Sequence, residues 1–317
     1  MALLLTEQDV ARLLPMDLAL EAVEEAFRWQ GQGKVVNRPR VRLKVPGGLL
    51  HVMPAAAPEL KAMGLKAYAT TRGGARFVVL LFSAESGELL AVMEADRLGQ
   101  MRTGAASGVA TRYLARPDAE TVGIYGTGWQ ACSQLEAVSA VRKIREVRAY
   151  GRDPERRQAF AREMAGRLGV PVIPVERPEE AARGASILVT ITNSRTPVLQ
   201  GAWLEPGAHV NAAGSNALER AELDVEAVRR AALIVVDSLE QARLECGDLV
   251  APIEQGATRW EAIRELGEVM AGNHPGRSGP EAITLFESQG VAMEDVAVAV
   301  RVWERARAEG VGQALPI

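Results

Sequence analysis

Lysine is scarce in this chain. Of 37 basic residues in 317, only five are lysine and the rest are arginine, so a lysine on an apolar segment stands out. Cysteine is scarcer still. Cys132 and Cys246 lie far apart, which excludes a disulfide framework and leaves a reduced, cytoplasmic protein as the expectation. The three histidines (His51, His209 and His274) match no zinc spacing, and no metal is expected. A net charge of −3 gives no field of one sign, which sets aside nucleic acid and anionic membranes as partners. No apolar run approaches the roughly 18 residues of a membrane span. The apolar start MALLLTEQDV carries neither a basic leader region nor a cleavage site, so no signal peptide is expected.

What is present is ample apolar material, 48%, over a length that suits two domains. Thr6 reads as an N-cap for a short helix ending before Pro15, and a second helix runs from Met16 to Gln30. From Arg38 to Met93 the pattern is β-like, with segments such as PRVRLKV, LLHVMP, GLKAYAT and RFVVLLFS between glycine- or proline-bearing turns. A helical stretch rich in Ala and Gly, DRLGQMRTGAASGVATRYLA, follows. Strands are then expected at 121–125, 146–150, 171–175, 186–191, 208–212, 232–236 and 283–288, with helices between most of them. That rhythm predicts an α/β protein: a doubly wound parallel sheet over 117–291, plus a smaller α+β domain built from 1–116 and 292–317.

At the start of the parallel domain stands TVGIYGTGWQA, with Gly126, Gly128 and Ala131 spaced as G-x-G-x-x-A after a strand and before a helix. A dinucleotide pyrophosphate needs such close backbone approach and a helix N-terminus with partial positive charge. A second strand follows about 20 residues on, where such folds read the adenosine ribose. It ends in Gly151 and Arg152 rather than in an acidic residue. An acid there would bond the 2′-hydroxyl of NAD, whereas a neutral residue followed by arginine accommodates the 2′-phosphate of NADP. NADPH is therefore expected in preference to NADH. Residues expected to line it are Gly126, Thr127, Gly128, Gln130 and Ala131 of the loop, with Gly151, Arg152, Thr190 and Ser215.

Three cations sit on segments that do not look like surface: Arg40 in PRVRLKV, Lys66 in GLKAYAT and Arg102 in QMRTGAA. Unpaired charges there would be costly to desolvate. They could converge on a substrate carboxylate, with Arg102 near a helix start adding the helix dipole. They could equally form separate structural salt bridges, and the residues alone leave both accounts open. His51 and His209 read as packing or hydrogen-bonding residues. NAAGSN, 211–216, follows a strand and could approach the cofactor or substrate, or be a simple turn. Glu245, Asp248 and Glu268 are acidic candidates with no partner visible in the sequence.

Together MRTGAASGVATRYLARPDA, GIYGTGWQA, PGAHVNAAGSN, LGEVMAG and ITLFESQGVAMEDVAVA make the chain resemble the ornithine cyclodeaminase/μ-crystallin family over nearly its whole length. The resemblance implies a homodimer of two-domain subunits, a Rossmann domain beside a dimerising and substrate domain. It places Arg40, Lys66 and Arg102 on the substrate carboxylate, with Lys66 also polarising or protonating an imine, and His51 and Asn216 beside the substrate. In the cyclodeaminases a Glu stands in place of His51 and a catalytic Asp in place of Asn216. Asn216 cannot take a proton, and a charged His51 would repel a second ammonium group. The expected activity is therefore NADPH-dependent reduction of cyclic ketimines such as pyrroline-2-carboxylate or piperideine-2-carboxylate. The alternatives are an alanine dehydrogenase type of reductive amination, ornithine cyclodeamination, and an NADPH-bound binding protein without turnover.

Overall fold

The computed structural model describes residues 2–316, which form two compact units, 2–102 with 290–316 and 103–289. The division differs from that expected at 116/117 and 291/292, because most of helix α3 (Asp96–Leu114) belongs with the second unit. The reason is local. Gly104 has no Cβ and lies against the Ser133 backbone, and the Arg142 guanidinium donates to the carbonyls of Thr111 and Ala115 at 2.9 and 3.1 Å.

The first unit is a mixed, largely antiparallel sheet. Its strands are β1 (Ala2–Leu5), β2 (Val36–Asn37), β3 (Val41–Val45), β4 (Gly48–Ala57), β5 (Ala62–Thr71), β6 (Gly74–Ser83), β7 (Leu89–Glu94) and the C-terminal Gln313–Leu315. The C-terminal strand pairs β1, and the order continues β7, β6, β5, β4, with β2 and β3 both pairing β4. The apolar start is thus a strand: four residues cannot show a period, but Ala2 and Leu5 are buried between two neighbours. Met53, Ala55 and Ala57 of β4 alternate inward, as do Val79 and Leu81 of β6 and Ala91 and Met93 of β7. The C-terminal helix, Ala292–Glu309, lies on β4, β5 and β6, and α2 (Met16–Gly31) packs on that helix. Helix α1 (Glu7–Leu13) begins with Thr6 and Asp9 in a reciprocal capping box, as Thr6 predicted.

The second unit is a parallel sheet. Its strands are β8 (Thr121–Tyr125), β9 (Glu146–Tyr150), β10 (Val172–Pro174), β11 (Ile187–Thr190), β12 (His209–Ala212), β13 (Ala231–Val236), β14 (Arg264–Glu265) and β15 (Ile283–Glu287). Their order is β10-β9-β8-β11-β12-β15-β13-β14, every pair parallel. The chain runs outward from β8 in one direction to β10 and in the other through β11, so the topology switches between β8 and β11. Ligands of doubly wound sheets bind outside the carboxyl ends of the strands at that point. Here Tyr125 registers with both Tyr150 and Thr190, which brings the residues that follow each strand to one edge. No helix among the described residues is long and apolar enough to cross a membrane.

Candidate active site

In the second unit, β8 delivers the glycine loop to helix α4 (Trp129–Val141). Gly126 has φ +114°, and a Cβ there would strike the Ile191 carbonyl. Gly128 is the N-cap of α4, no side chain caps it, and a Cβ there would meet nothing within 4 Å. The first turn of α4 thus keeps an uncapped N-terminus, where its amide groups and dipole attract an anion. Gln130 Oε1 is buried without a hydrogen-bond partner, and Ala131 is buried beneath the loop. These residues fit a dinucleotide pyrophosphate.

At the neighbouring corner, Gly151 lies against Thr127, whose Oγ1 would be 2.6 Å from a Cβ at position 151. Arg157 Nη1 donates to the Gly151 carbonyl at 2.7 Å and fixes the turn. Arg152 is exposed there, and so is Arg156. Nearby, Asp153 accepts from the amides of Glu155 and Arg156 at 3.0 and 3.1 Å as the N-cap of helix α5 (Pro154–Leu168). Its carboxylate is therefore engaged in capping.

Thr190 and Ser215 sit at the same strand ends with their hydroxyls occupied. Thr190 Oγ1 donates to Glu222 Oε2 at 3.0 Å, and Ser215 Oγ donates to the Arg220 carbonyl at 3.0 Å. Glu222 was not singled out in the sequence. Its buried carboxylate also accepts from the Thr192 amide and hydroxyl, both at 2.6 Å, and from the Gly214 amide at 2.8 Å. One side chain thus ties the loop after β11 to the loop after β12. Burial, and then the Asp248 carboxylate, push its pKa up to about 7 against the pull of the threonine donors. Asp248 finds its partners in the amides of Glu222 and Leu223, at 2.6 and 2.7 Å. Glu245 accepts from Gln241, and Glu268 accepts from the Glu265 amide in a helix cap. His209 is a core residue: its ring meets Thr284 Oγ1 at 2.9 Å and Asn211 Oδ1 at 3.2 Å, and burial drives its pKa down to about 3. Asn216 lies partly buried beyond β12. No group of three or more His, Cys, Asp or Glu among the described residues is placed to hold a metal ion.

The first unit gathers Arg40, Lys66 and Arg102 with His51. Lys66 stands on β5 opposite Met53 of β4 and Val79 of β6, and is 2% exposed. Arg40 Nε lies 3.2 Å from Met53 Sδ, and its Nη2 donates to the Gly290 carbonyl at 3.3 Å. Lys66 Nζ is 2.7 Å from Asp295 Oδ2. Arg102 Nε is 2.9 Å from Asp295 Oδ1, and its Nη1 is 2.9 Å from Glu294 Oε2. The three cations converge, and Lys66 and Arg102 share the Asp295 carboxylate. The dipole expectation for Arg102 does not hold. Helix α3 begins at Asp96, almost two turns earlier, and the helix start near Arg102 is that of the C-terminal helix, whose first turn carries the two acids.

Burial, opposed by Asp295 and assisted by Arg102 and Arg40, lowers the Lys66 pKa to about 7. His51 stacks on Tyr68 with ring centroids 4.0 Å apart, and Tyr68 stacks on Phe77 at 4.6 Å. Burial first, then Arg40, Arg42 and Lys66, lowers the His51 pKa to about 4. The expected repulsion of an ammonium group by a charged His51 thus does not arise at neutral pH. What distinguishes His51 from a glutamate there is the missing negative charge.

A glycine loop at the switch point of a parallel sheet defines the second unit as a Rossmann-type nucleotide-binding unit, and the first unit adds a buried cationic cluster. Residues 1–310 match the model of the ornithine cyclodeaminase/mu-crystallin family, and the chain belongs to that family. A Delta(1)-pyrroline-2-carboxylate reductase of Bacillus cereus is 42% identical over 269 residues, 82% of each chain. The Thermococcus litoralis Delta(1)-pyrroline-2-carboxylate reductase, solved in complex with NADH and L-proline, superposes with a TM-score of 0.94 at 37% identity, covering 99% of this chain and all of that one. An archaeal alanine dehydrogenase dimer with bound NAD gives a TM-score of 0.94 at 39% identity, covering 100% of this chain and 99% of that one.

Proposed function

We propose that this protein is an NADPH-preferring reductase of small imino acids, with cyclic ketimines such as pyrroline-2-carboxylate or piperideine-2-carboxylate as substrates and L-proline or L-pipecolate as products. The observation that carries this reading is the convergence of Arg40, Lys66 and Arg102 in one buried cluster beside an uncharged His51. Arginine pairs with a carboxylate through two parallel N–H donors, so Arg40 and Arg102 hold and orient the substrate carboxylate. Lys66, with a pKa of about 7, is poised to give a proton to an imine nitrogen or to keep it protonated. An iminium accepts hydride more readily than a neutral imine because positive charge on nitrogen draws electrons from the C=N carbon. When bound, the reduced nicotinamide supplies that hydride and leaves oxidised; the product keeps the new C–H and the N–H.

The preference for NADPH rests on this chain's own corner, where Gly151 leaves room and Arg152 and Arg156 bring positive charge, since the solved relatives above carry NADH or NAD. A homodimer is supported by the exposed apolar residues Val36, Val41, Leu43 and Val45 on β2 and β3, and by the dimer of the archaeal relative. The paucity of cysteine fits a cytoplasmic location. Reductive amination of a 2-oxo acid is the second reading, favoured by the likeness to the archaeal alanine dehydrogenase. Ornithine cyclodeamination is disfavoured, because neither Asn216 nor a neutral His51 supplies the carboxylate that would grip a second ammonium.

A panel tests this. NADPH and NADH are each offered with the two cyclic ketimines, with pyruvate plus ammonia, and with ornithine alone. NADPH consumption fastest with a ketimine supports the reading; consumption only with pyruvate and ammonia, or none anywhere, rejects it. Changing Lys66 to Ala abolishes turnover while NADPH still binds.

A further inference from the structure

The segment Gly290–Asp295 touches all three cations of the cluster. The Gly290 carbonyl accepts from Arg40, and its left-handed φ of +77° turns the chain where a side chain would collide with the Arg102 guanidinium. The C-terminal helix then starts, its Met293 amide donating to Asn37 Oδ1 at 3.1 Å. Glu294 and Asp295 stand in that first turn, where acids are favoured by the helix dipole, and both are 0% exposed. Burying two carboxylates is costly unless each is paired and hydrogen-bonded. They are paired differently. Asp295 divides its two oxygens, Oδ2 to Lys66 Nζ at 2.7 Å and Oδ1 to Arg102 Nε at 2.9 Å, whereas Glu294 Oε2 meets Arg102 Nη1 at 2.9 Å.

We propose that Asp295 is a positioning residue for the imino-acid site: its carboxylate holds the Lys66 ammonium and the Arg102 guanidinium to one another, while Glu294 orients Arg102. This rests on the reductase reading for its purpose but not for its geometry. Without Asp295, Lys66 would face Arg102 and Arg40 across a buried space, with His51 of β4 and Tyr68 of β5 the nearest titratable rings. Its proton would then leave at lower pH.

The test reads Lys66 directly. Protein grown on lysine labelled at Cε carries five labelled residues, and the Lys66 signal is the one lost in Lys66→Ala. Its NMR titration is followed in the wild type, Asp295→Asn, Asp295→Glu and Glu294→Gln. The Lys66 midpoint is expected to fall by about one pH unit or more in Asp295→Asn, the size of an adjacent charge removed. It should hold in Asp295→Glu and move less in Glu294→Gln. In the same order, the alkaline fall of kcat/KM for pyrroline-2-carboxylate shifts to lower pH in Asp295→Asn alone, and Glu294→Gln acts mainly on KM. If Asp295→Asn does not fold, Asp295→Glu remains diagnostic: it should retain the midpoint yet lose about tenfold or more in kcat, because the bridge is displaced by a methylene. An unmoved midpoint in Asp295→Asn, equal shifts in both acid variants, or wild-type turnover in Asp295→Glu overturns the proposal. Absence of imine reduction by the wild type would reject the reductase reading, while the Lys66 titration still decides the role of Asp295.

Discussion

Gly290 lies where its missing Cβ makes room for the Arg102 guanidinium, and its φ of +77° is one that side-chain-bearing residues rarely adopt. Replacing Gly290 by Ala therefore both strains the backbone and displaces the Arg102 guanidinium, which the proposed function assigns to the substrate carboxylate. The backbone strain alone costs about 1–2 kcal/mol. Gly290→Ala should melt earlier than the wild type and lose about tenfold or more in kcat/KM, mostly through KM, which corresponds to roughly 1.4 kcal/mol of lost binding. Thermal melts and steady-state kinetics check this, and wild-type KM would contradict it.

His51 makes folding sensitive to acid. Its pKa is lowered from the ordinary 6.5 to about 4 in the folded protein by burial and by Arg40, Arg42 and Lys66. Between those values the unfolded chain takes up a proton that the folded chain refuses, so this contribution to stability is lost as pH falls through that window. His51→Phe keeps a ring to stack on Tyr68 but does not titrate. Its melting temperature should fall less steeply between pH 6.5 and 4 than that of the wild type. Parallel curves for the two proteins would show that His51 is not the group responsible.

Glu222 joins the loops after β11 and β12 through Thr190, Thr192 and Gly214. Glu222→Ala leaves the half-buried Thr192 and Gly214 amides without their acceptor, at about 1 kcal/mol for each. The variant should unfold at lower denaturant and bind NADPH more weakly, since both loops stand at the carboxyl edge of the sheet. Denaturant titration and equilibrium cofactor binding read the two effects, and unchanged stability would remove Glu222 from this role.

Arg152 stands exposed at the end of β9, where Gly151 packs on Thr127. If NADPH binds as proposed, Arg152→Asp removes a cation from its 2′-phosphate and adds an anion, and a charge-assisted hydrogen bond contributes about 1.5–3 kcal/mol. The ratio of kcat/KM for NADPH to that for NADH should drop at least about tenfold, with the NADH value little changed. A constant ratio would place the discrimination elsewhere.

Much of this was readable from the residues because the signals are local. The strand–GTG–helix run, the strand rhythm from Thr121 and the alternation in β4 to β6 each report on neighbours within one segment. The features that escaped depend on distant partners. Arg102 and Asp295 are 193 residues apart, and nothing near either says that they pair. Glu222 gains its donors only because β11 and β12 lie side by side. Ala2–Leu5 is too short to show a period, and its strand character comes from β7 and the C-terminal strand. Arg102 was expected near a helix start, whereas the helix begins at Asp96, whose amide is held by Glu7 at 2.6 Å.

In the proposed reaction the cationic cluster serves reduction of a cyclic imino acid by NADPH. The most direct measurement is the stoichiometry of product to cofactor, with pyrroline-2-carboxylate as substrate, in the wild type and in Lys66→Ala. One L-proline formed for each NADPH oxidised by the wild type, and none by Lys66→Ala at undiminished NADPH binding, is the predicted result. Proline and ammonia released from ornithine with no net change in cofactor would contradict it.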